Sequence, residues 1–100
     1  MTKLWEILIP IADNDGIKFA PEIHRDWDNR VRAISGGLTI FKPATGEWIN
    51  GNGAVMRDKL IPVAFMATDE QARAISAMSK LTYRQEAMML YVLSETVIIE

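Results

Sequence analysis

One hundred residues carrying a net charge of −2 and no cysteine bound a single small domain, residues 1–100, with one core. The missing cysteine excludes disulfides, thiolate metal sites and a cysteine nucleophile, and a lone histidine, His24, excludes a histidine-rich metal centre, so neither metal nor cofactor is expected. The near-neutral charge offers no footprint for nucleic acid, no run reaches the roughly 18 apolar residues of a membrane span, and the opening MTKLWEILIPIADND lacks a signal-cleavage pattern, so the expectation is a cytoplasmic protein with neither nucleic-acid nor membrane partner.

KLWEILIPI (3–11) alternates as a strand, with Trp5, Ile7, Ile9 and Ile11 on one face and Leu4, Glu6 and Leu8 on the other. ADNDG (12–16) supplies turn chemistry. Pro21 suits the first position of a helix, and Ile23, Trp27, Val31 and Ile34 then form one apolar stripe that Gly36-Gly37 ends. GLTIFKP (37–43) reads as a second strand. Ala44 to Asp58 reads as a long polar connection with a short hairpin around Gly46–Ile49 and a mobile Gly51-Asn52-Gly53 tip, and such loops are commonly functional. KLIPVAFMA (59–67) is a third strand, which Pro62 assigns to a sheet edge. Thr68 and Gln71 make a capping box for a second helix whose buried face would be Ala72, Ile75, Met78 and Leu81. Arg84-Gln85-Glu86 reads as its solvent-facing end, running without a turn signal into a last strand over 87–93, and Thr96–Ile99 offers a short fifth strand.

This order is the α+β, ferredoxin-like βαββαβ arrangement, a four-stranded antiparallel sheet with two helices on one face. Two helices cover only one face, and the other would ordinarily alternate to polar residues. Here Met88, Leu90 and Val92 oppose Met89, Tyr91 and Leu93, while Ile61, Val63 and Phe65 oppose Leu60, Ala64 and Met66. An apolar face of that size exceeds the few hundred Å², roughly, that monomers leave exposed, so a homo-oligomer, trimer or dimer, is expected. The competing reading covers that face with the long loop and the C-terminal segment.

Clefts between subunits would form at the strand ends, where polar groups become candidate ligand contacts. Glu6 is a lone charge on an apolar strand face, and reads equally well as a guard against aggregation. Trp48, in a Gly- and Asn-containing loop, can stack on a planar base or anchor the loop to its own surface. Arg57-Asp58 precedes the third strand as a ligand contact or as a turn ion pair. Glu86 stands at the mouth of the last strand, where it is either a boundary charge or a ligand-facing carboxylate meeting Asp58. His24 falls off the helix stripe and reads as a surface residue. The GNG of 51–53 has neither the strand-loop-helix setting nor the Lys-Ser/Thr of a phosphate loop.

The order of landmarks carries a resemblance: His24-Arg25 in the first helix, Gly36-Gly37, Gly46-Glu47-Trp48, Arg57-Asp58, the capped helix from Thr68, and Gln85-Glu86 before a strand with Tyr91. Over residues 3–94 the chain resembles the small bacteriophage S-adenosylmethionine lyases, whose fold is similar to the trimeric nitrogen-regulatory PII proteins. The resemblance implies an adenosyl ligand between subunits of a trimer and acidic residues leading into the last two main strands. Glu86 matches one of these; Asp58 stands where the family pattern has glutamate, one methylene longer. It further implies cleavage to methylthioadenosine and homoserine lactone, with Glu86 and Asp58 catalytic and Trp48, Arg57, Gln85, Tyr91 and Glu6 binding the ligand. A non-catalytic nucleotide sensor and a protein-interaction module share the same outline, because this fold hosts many functions.

Overall fold

The computed structural model describes residues 1–100, and the alternation in KLWEILIP becomes its first strand, β1 (Lys3–Pro10), with Ile7 and Ile9 fully buried. There follow α1 (Pro21–Ser35), β2 (Thr39–Ile40), β3 (Ala44–Ile49), β4 (Val55–Ala67), α2 (Asp69–Thr82) and β5 (Leu90–Ser94). β4 and β1 are the central strands, β5 lies outside β1, and β2 and β3 share the other edge of β4 end to end. Every pairing is antiparallel. The architecture is thus α+β and ferredoxin-like, with four strand positions and two helices on one face.

Pro21 begins α1 as expected, and Gly36 ends it at φ 89°, where only glycine is unstrained, donating its N–H to the Arg32 carbonyl. The stripe is real: Trp27 and Val31 are buried, and Ile23 and Ile34 pack beside them. At α2 the Thr68 hydroxyl accepts the Gln71 N–H at 3.1 Å while the Gln71 side-chain oxygen, Oε1, accepts the Thr68 N–H at 2.9 Å. The Gln71 amide also donates to the Ile34 carbonyl, tying the start of α2 to the end of α1. Ile7, Ile9, Val63, Phe65, Ala67, Ala72, Ile75, Trp27, Val31, Tyr83 and Phe19 form the core between sheet and helices.

Several expectations change. Leu81 does not face the core but is 81% exposed; Ser79 takes its place, fully buried. Its hydroxyl accepts from Trp27 Nε1 at 2.7 Å and donates to the Ile75 carbonyl at 2.6 Å. His24 is no simple surface residue, since its Nδ1 lies 2.7 Å from the hydroxyl of buried Tyr83.

Pro62 sits in a central strand rather than at an edge. Its partner across the ladder, Leu8, donates its own N–H the other way, to Met89 at 3.3 Å. The Pro62 carbonyl accepts from Phe41, so its hydrogen-less nitrogen faces the break at 41–43 between β2 and β3. That break shortens the second strand to two residues.

The polar connection 44–58 is mostly a hairpin, β3 against β4, whose tip is tied by the Asn50 side chain accepting from Asn52 and Ala54 at 2.9 and 3.0 Å. After α2 a turn does intervene before the last strand: Arg84 adopts φ 52°, and the Gln85 N–H returns to the Lys80 carbonyl. β5 therefore starts at Leu90, and residues 96–99 lie in no strand.

Leu4, Leu8, Leu60 and Met66 lie on the sheet face away from the helices, half-buried within the protomer. Met89 and Leu93 are 64% and 47% exposed. No helix covers this face.

Candidate functional site

The hairpin carries β3 and the start of β4 past the end of β1, so side chains on one hairpin face overhang the sheet end. Pairing puts Gly46 opposite Asp58 and Trp48 opposite Met56, the same strand face as Leu60. From the other side, the turn after α2 brings Gln85 and the 87–89 segment to the same place. Its amide donates to the Tyr83 carbonyl at 3.0 Å, which fixes the side chain locally.

Two adjoining clefts result. One, of about 480 Å³, lies toward the open sheet face between Leu8, Leu60, Met89, Trp48, Asp58 and Gln85. The other, of about 500 Å³, runs under the hairpin to the 11–18 loop and adds Arg57, Lys59, Lys18 and Asp13. Pro10, Trp48, Asp58 and Gln85 belong to both. Both volumes fall in the range of small-molecule sites. The 11–18 loop is shaped by Asp13, whose carboxylate accepts the N–H groups of Asp15 and Ile17 at 2.9 Å each.

The structure thus gathers Trp48, Arg57, Asp58 and Gln85. Arg57 is not paired with its neighbour Asp58: its Nε donates to Glu47 across the hairpin at 2.7 Å, an exposed pair that adds little stability. The Asp58 carboxylate has no ion-pair or hydrogen-bond partner and is exposed. Glu86 lies between Gln85 and Ala87, both of which line the first cleft, but is itself exposed and outside the lining. Glu6 and Tyr91 stand opposite one another on the open sheet face, away from both clefts, and the Tyr91 hydroxyl donates to the Glu6 carboxylate.

Lys18, Lys59, Leu8 and Met89 escaped the sequence reading. Lys59 and Leu8 follow once the hairpin register is known, whereas Lys18 arrives through an 11–18 loop closed by the Ala12–Lys18 bridge, which has no sequence signature. No group of three His, Cys, Asp or Glu side chains converges anywhere in the chain. A groove of about 520 Å³ between α1 and α2 is bordered by Asp26 and Arg30, already paired with each other, and shares no residue with the two clefts.

An apolar wall, one half-exposed indole, a free carboxylate, a side-chain amide and nearby cations suit a ligand with a planar ring and hydrogen-bonding or charged substituents.

No protein-family model matches the chain, and no curated sequence does. Solved structures do match. The periplasmic divalent cation tolerance protein CutA of Archaeoglobus fulgidus shares the fold at a TM-score of 0.73 and 11% identity, over 100% of this chain and 89% of that one. The divalent cation tolerance protein Cut A1 of Thermus thermophilus does so at 0.70 and 15%, over 100% and 86%. This is the PII-like ferredoxin fold. A phage S-adenosylmethionine lyase in complex with S-methyl-5′-thioadenosine shares the PII-like fold at a TM-score of 0.69 and 10% identity, over 99% of this chain and 85% of that one. At such identities the likeness establishes the PII-like fold alone, and function has to be argued from the site. No helix is long and apolar enough to cross a membrane.

Proposed function

We propose that this protein is a homo-oligomer, a trimer in the first place and a dimer as the simpler closure, that binds S-adenosylmethionine or a related adenosyl compound between subunits. The observation that carries the reading is the meeting of Trp48, Asp58 and Gln85 in a cleft that opens onto an uncovered apolar sheet face. Burying that face against a neighbour would close the cleft from above and exclude water from it. Trp48 would stack on adenine, with Arg57 and Gln85 on the polar substituents. Glu6 and Tyr91 would enter from the neighbouring copy's open face. A fold neighbour that holds methylthioadenosine supports the choice of ligand class.

In the catalytic form of this reading the ligand is cleaved. The substrate carboxylate oxygen attacks its own γ-carbon, the carbon–sulfur bond breaks, and the sulfur leaves with the electron pair as methylthioadenosine. Homoserine lactone remains. Nucleophile and leaving group belong to one molecule, so the protein need only hold the reactive conformer and remove water. Asp58 and Glu86 would hold the sulfonium and ammonium electrostatically.

Binding without cleavage is the second reading. It is favoured by the state of both carboxylates: Asp58 is short, and neither it nor Glu86 is fixed by any hydrogen bond, so the preorganised charge that catalysis uses is missing from the protomer. Incubation with S-adenosylmethionine, resolved by chromatography, separates the two. Methylthioadenosine from the wild type and not from Asp58→Asn or Glu86→Gln establishes the lyase. Ligand-dependent thermal stabilisation without product, abolished by Trp48→Ala, establishes the sensor. Neither product nor stabilisation removes both.

A further inference from the structure

Backbone register at the second cleft sets four residues in one row. Gly46 pairs with Asp58 across the hairpin. The Ile11 N–H donates to the Lys59 carbonyl at 3.4 Å, which carries the β1–β4 register one residue past β1 and brings Ala12 beside Asp58. Ala12 in turn pairs with Lys18 in a bridge framed by two bonds, Asp13 N–H to the Ile17 carbonyl at 2.8 Å and Phe19 N–H to the Ile11 carbonyl at 3.0 Å. Opposed residues of antiparallel strands share a face, so Gly46, Asp58, Ala12 and Lys18 all look the same way. Adjacent strands lie about 4.8 Å apart, so the row runs roughly 14 Å from Gly46 to Lys18.

The chemistry along the row is ordered. At one end the indole of Trp48 lies over Gly46, close enough that a methyl there would be 3.7 Å from the ring. The Asp58 carboxylate comes next. Ala12 then leaves a gap, and the Lys18 ammonium stands at the far end. Lys18 and Asp58 both line the 500 Å³ cleft, both are exposed, and neither enters an ion pair. The other charges nearby are engaged or turned away. Asp13 accepts from two backbone N–H groups and lies 3.6 Å from Arg84, and Arg57 is held by Glu47. Lys59 is one residue out of phase with Asp58 and alternates to the other face of β4.

We infer that this row reads the amino-acid arm of an adenosyl ligand, with the base on Trp48, the α-ammonium on Asp58 and the α-carboxylate on Lys18. The substrate class is thereby an adenosyl amino acid, in preference to an adenosine derivative without the arm. A zwitterionic arm presents to Asp58 and Lys18 the two charges that each lacks, whereas a phosphate chain would set negative charge against Asp58. An arm drawn out along the row to Lys18 also holds its carboxylate away from the γ-carbon, so the row serves binding rather than lactone formation. The inference rests on the adenosyl reading above and adds Lys18 to it as the residue that selects the carboxylate.

The test is calorimetry of the full chain with three probes: S-adenosylhomocysteine, its decarboxylated analogue, and methylthioadenosine. The first has a neutral thioether in place of the sulfonium leaving group, so cleavage does not disturb the titration. It is expected to bind tighter than either of the others by about tenfold or more. Lys18→Ala should abolish its advantage over the decarboxylated analogue, and Lys18→Arg should restore it. Asp58→Asn should weaken the two probes that carry the amine. Neither Lys18→Ala nor Asp58→Asn should change the affinity for methylthioadenosine. Equal binding of all three probes, or a loss in either variant that falls on methylthioadenosine as well, overturns the inference and leaves the adenosyl reading standing. Binding of none of the three overturns both. Lys18 and Asp58 are exposed, and the circular dichroism of each variant checks that the sheet is intact.

Discussion

Ser79→Ala tests the interior most directly. The Ser79 hydroxyl is fully buried and is the acceptor for Trp27 Nε1, itself on a residue 1% exposed. Alanine deletes the acceptor and leaves the indole N–H in the core with no water to replace it. An orphaned buried donor costs about 1–3 kcal/mol. Alanine returns roughly 0.5 kcal/mol in helix propensity at position 79. The Ile75 carbonyl keeps its helix position, so losing the 2.6 Å bond from Ser79 adds little. The net expectation is about 1–2 kcal/mol, and for a domain of this size Tm should fall by roughly 5–15 °C. Urea titration should show a lower midpoint at unchanged slope, as for a stability change without a change in the unfolded state. The control is the same substitution in a Trp27→Phe background, where no N–H is left to orphan. There Ser79→Ala should cost close to nothing. An equal cost in both backgrounds would refute the reasoning and assign the effect to packing of the Ser79 side chain alone.

Three other outcomes are expected. Burial lowers the pKa of His24 below its ordinary value, against the opposing pull of Asp28, so the fold prefers the neutral ring. Its stabilising contribution is present above the unfolded pKa and lost as pH falls through the folded one: denaturant midpoints should drop as pH falls below the ordinary imidazole value of about 6.5, and His24→Asn should flatten that slope. Burial also raises the Asp28 pKa, whose effect has the opposite sign and lies nearer the carboxylate range, so the upper window isolates the histidine. Gly46→Ala places a methyl 2.9 Å from Leu60 Cδ1 and 3.7 Å from the Trp48 ring. The flexible Leu60 end yields into the cleft, so, if the proposed adenosyl ligand binds there, calorimetry should show its affinity falling by about tenfold while stability stays within about 1 kcal/mol. Leu4 and Met66 are cross-strand partners on the open face, both half-exposed in the protomer. Leu4→Lys with Met66→Lys should leave the circular dichroism intact and, by sedimentation at about micromolar concentration, convert the oligomer to monomer; an unchanged assembly would place the interface elsewhere.

The elements that were legible in the sequence are those whose signals are local. The alternation of KLWEILIP, the stripe Ile23–Trp27–Val31–Ile34, Pro21, Gly36 and the Thr68–Gln71 box each depend on the geometry of one strand or one helical turn, and each stands where the residues place it. Their order alone yields the ferredoxin-like class, because few ways exist to layer two helices on such a sheet. The apolar residues of both sheet faces were likewise countable along the strands.

Tertiary structure decided what depends on partners distant in the chain. Pro62 became tolerable in a central strand only because its neighbour across the sheet changes at 41–43, and no local rule reports that. That Ser79 rather than Leu81 faces inward follows from the helical period, which sets Ser79 about 20° and Leu81 about 180° from Ala72; packing supplies only its partner, Trp27, 52 residues away. The turn at Arg84 uses a positive φ at a non-glycine residue, held by return bonds to Lys80 and Leu81 and by the guanidinium lying 3.6 Å from the Asp13 carboxylate and over the Phe19 ring, both far off in sequence. The cleft has the same origin. Trp48, Asp58 and Gln85 were separately conspicuous, but their meeting follows from hairpin register and the exit path of α2, whereas Glu86, one residue on, is directed to solvent. Local chemistry sets the elements; long-range packing sets which side chains share a space, and a binding site is a statement about the second.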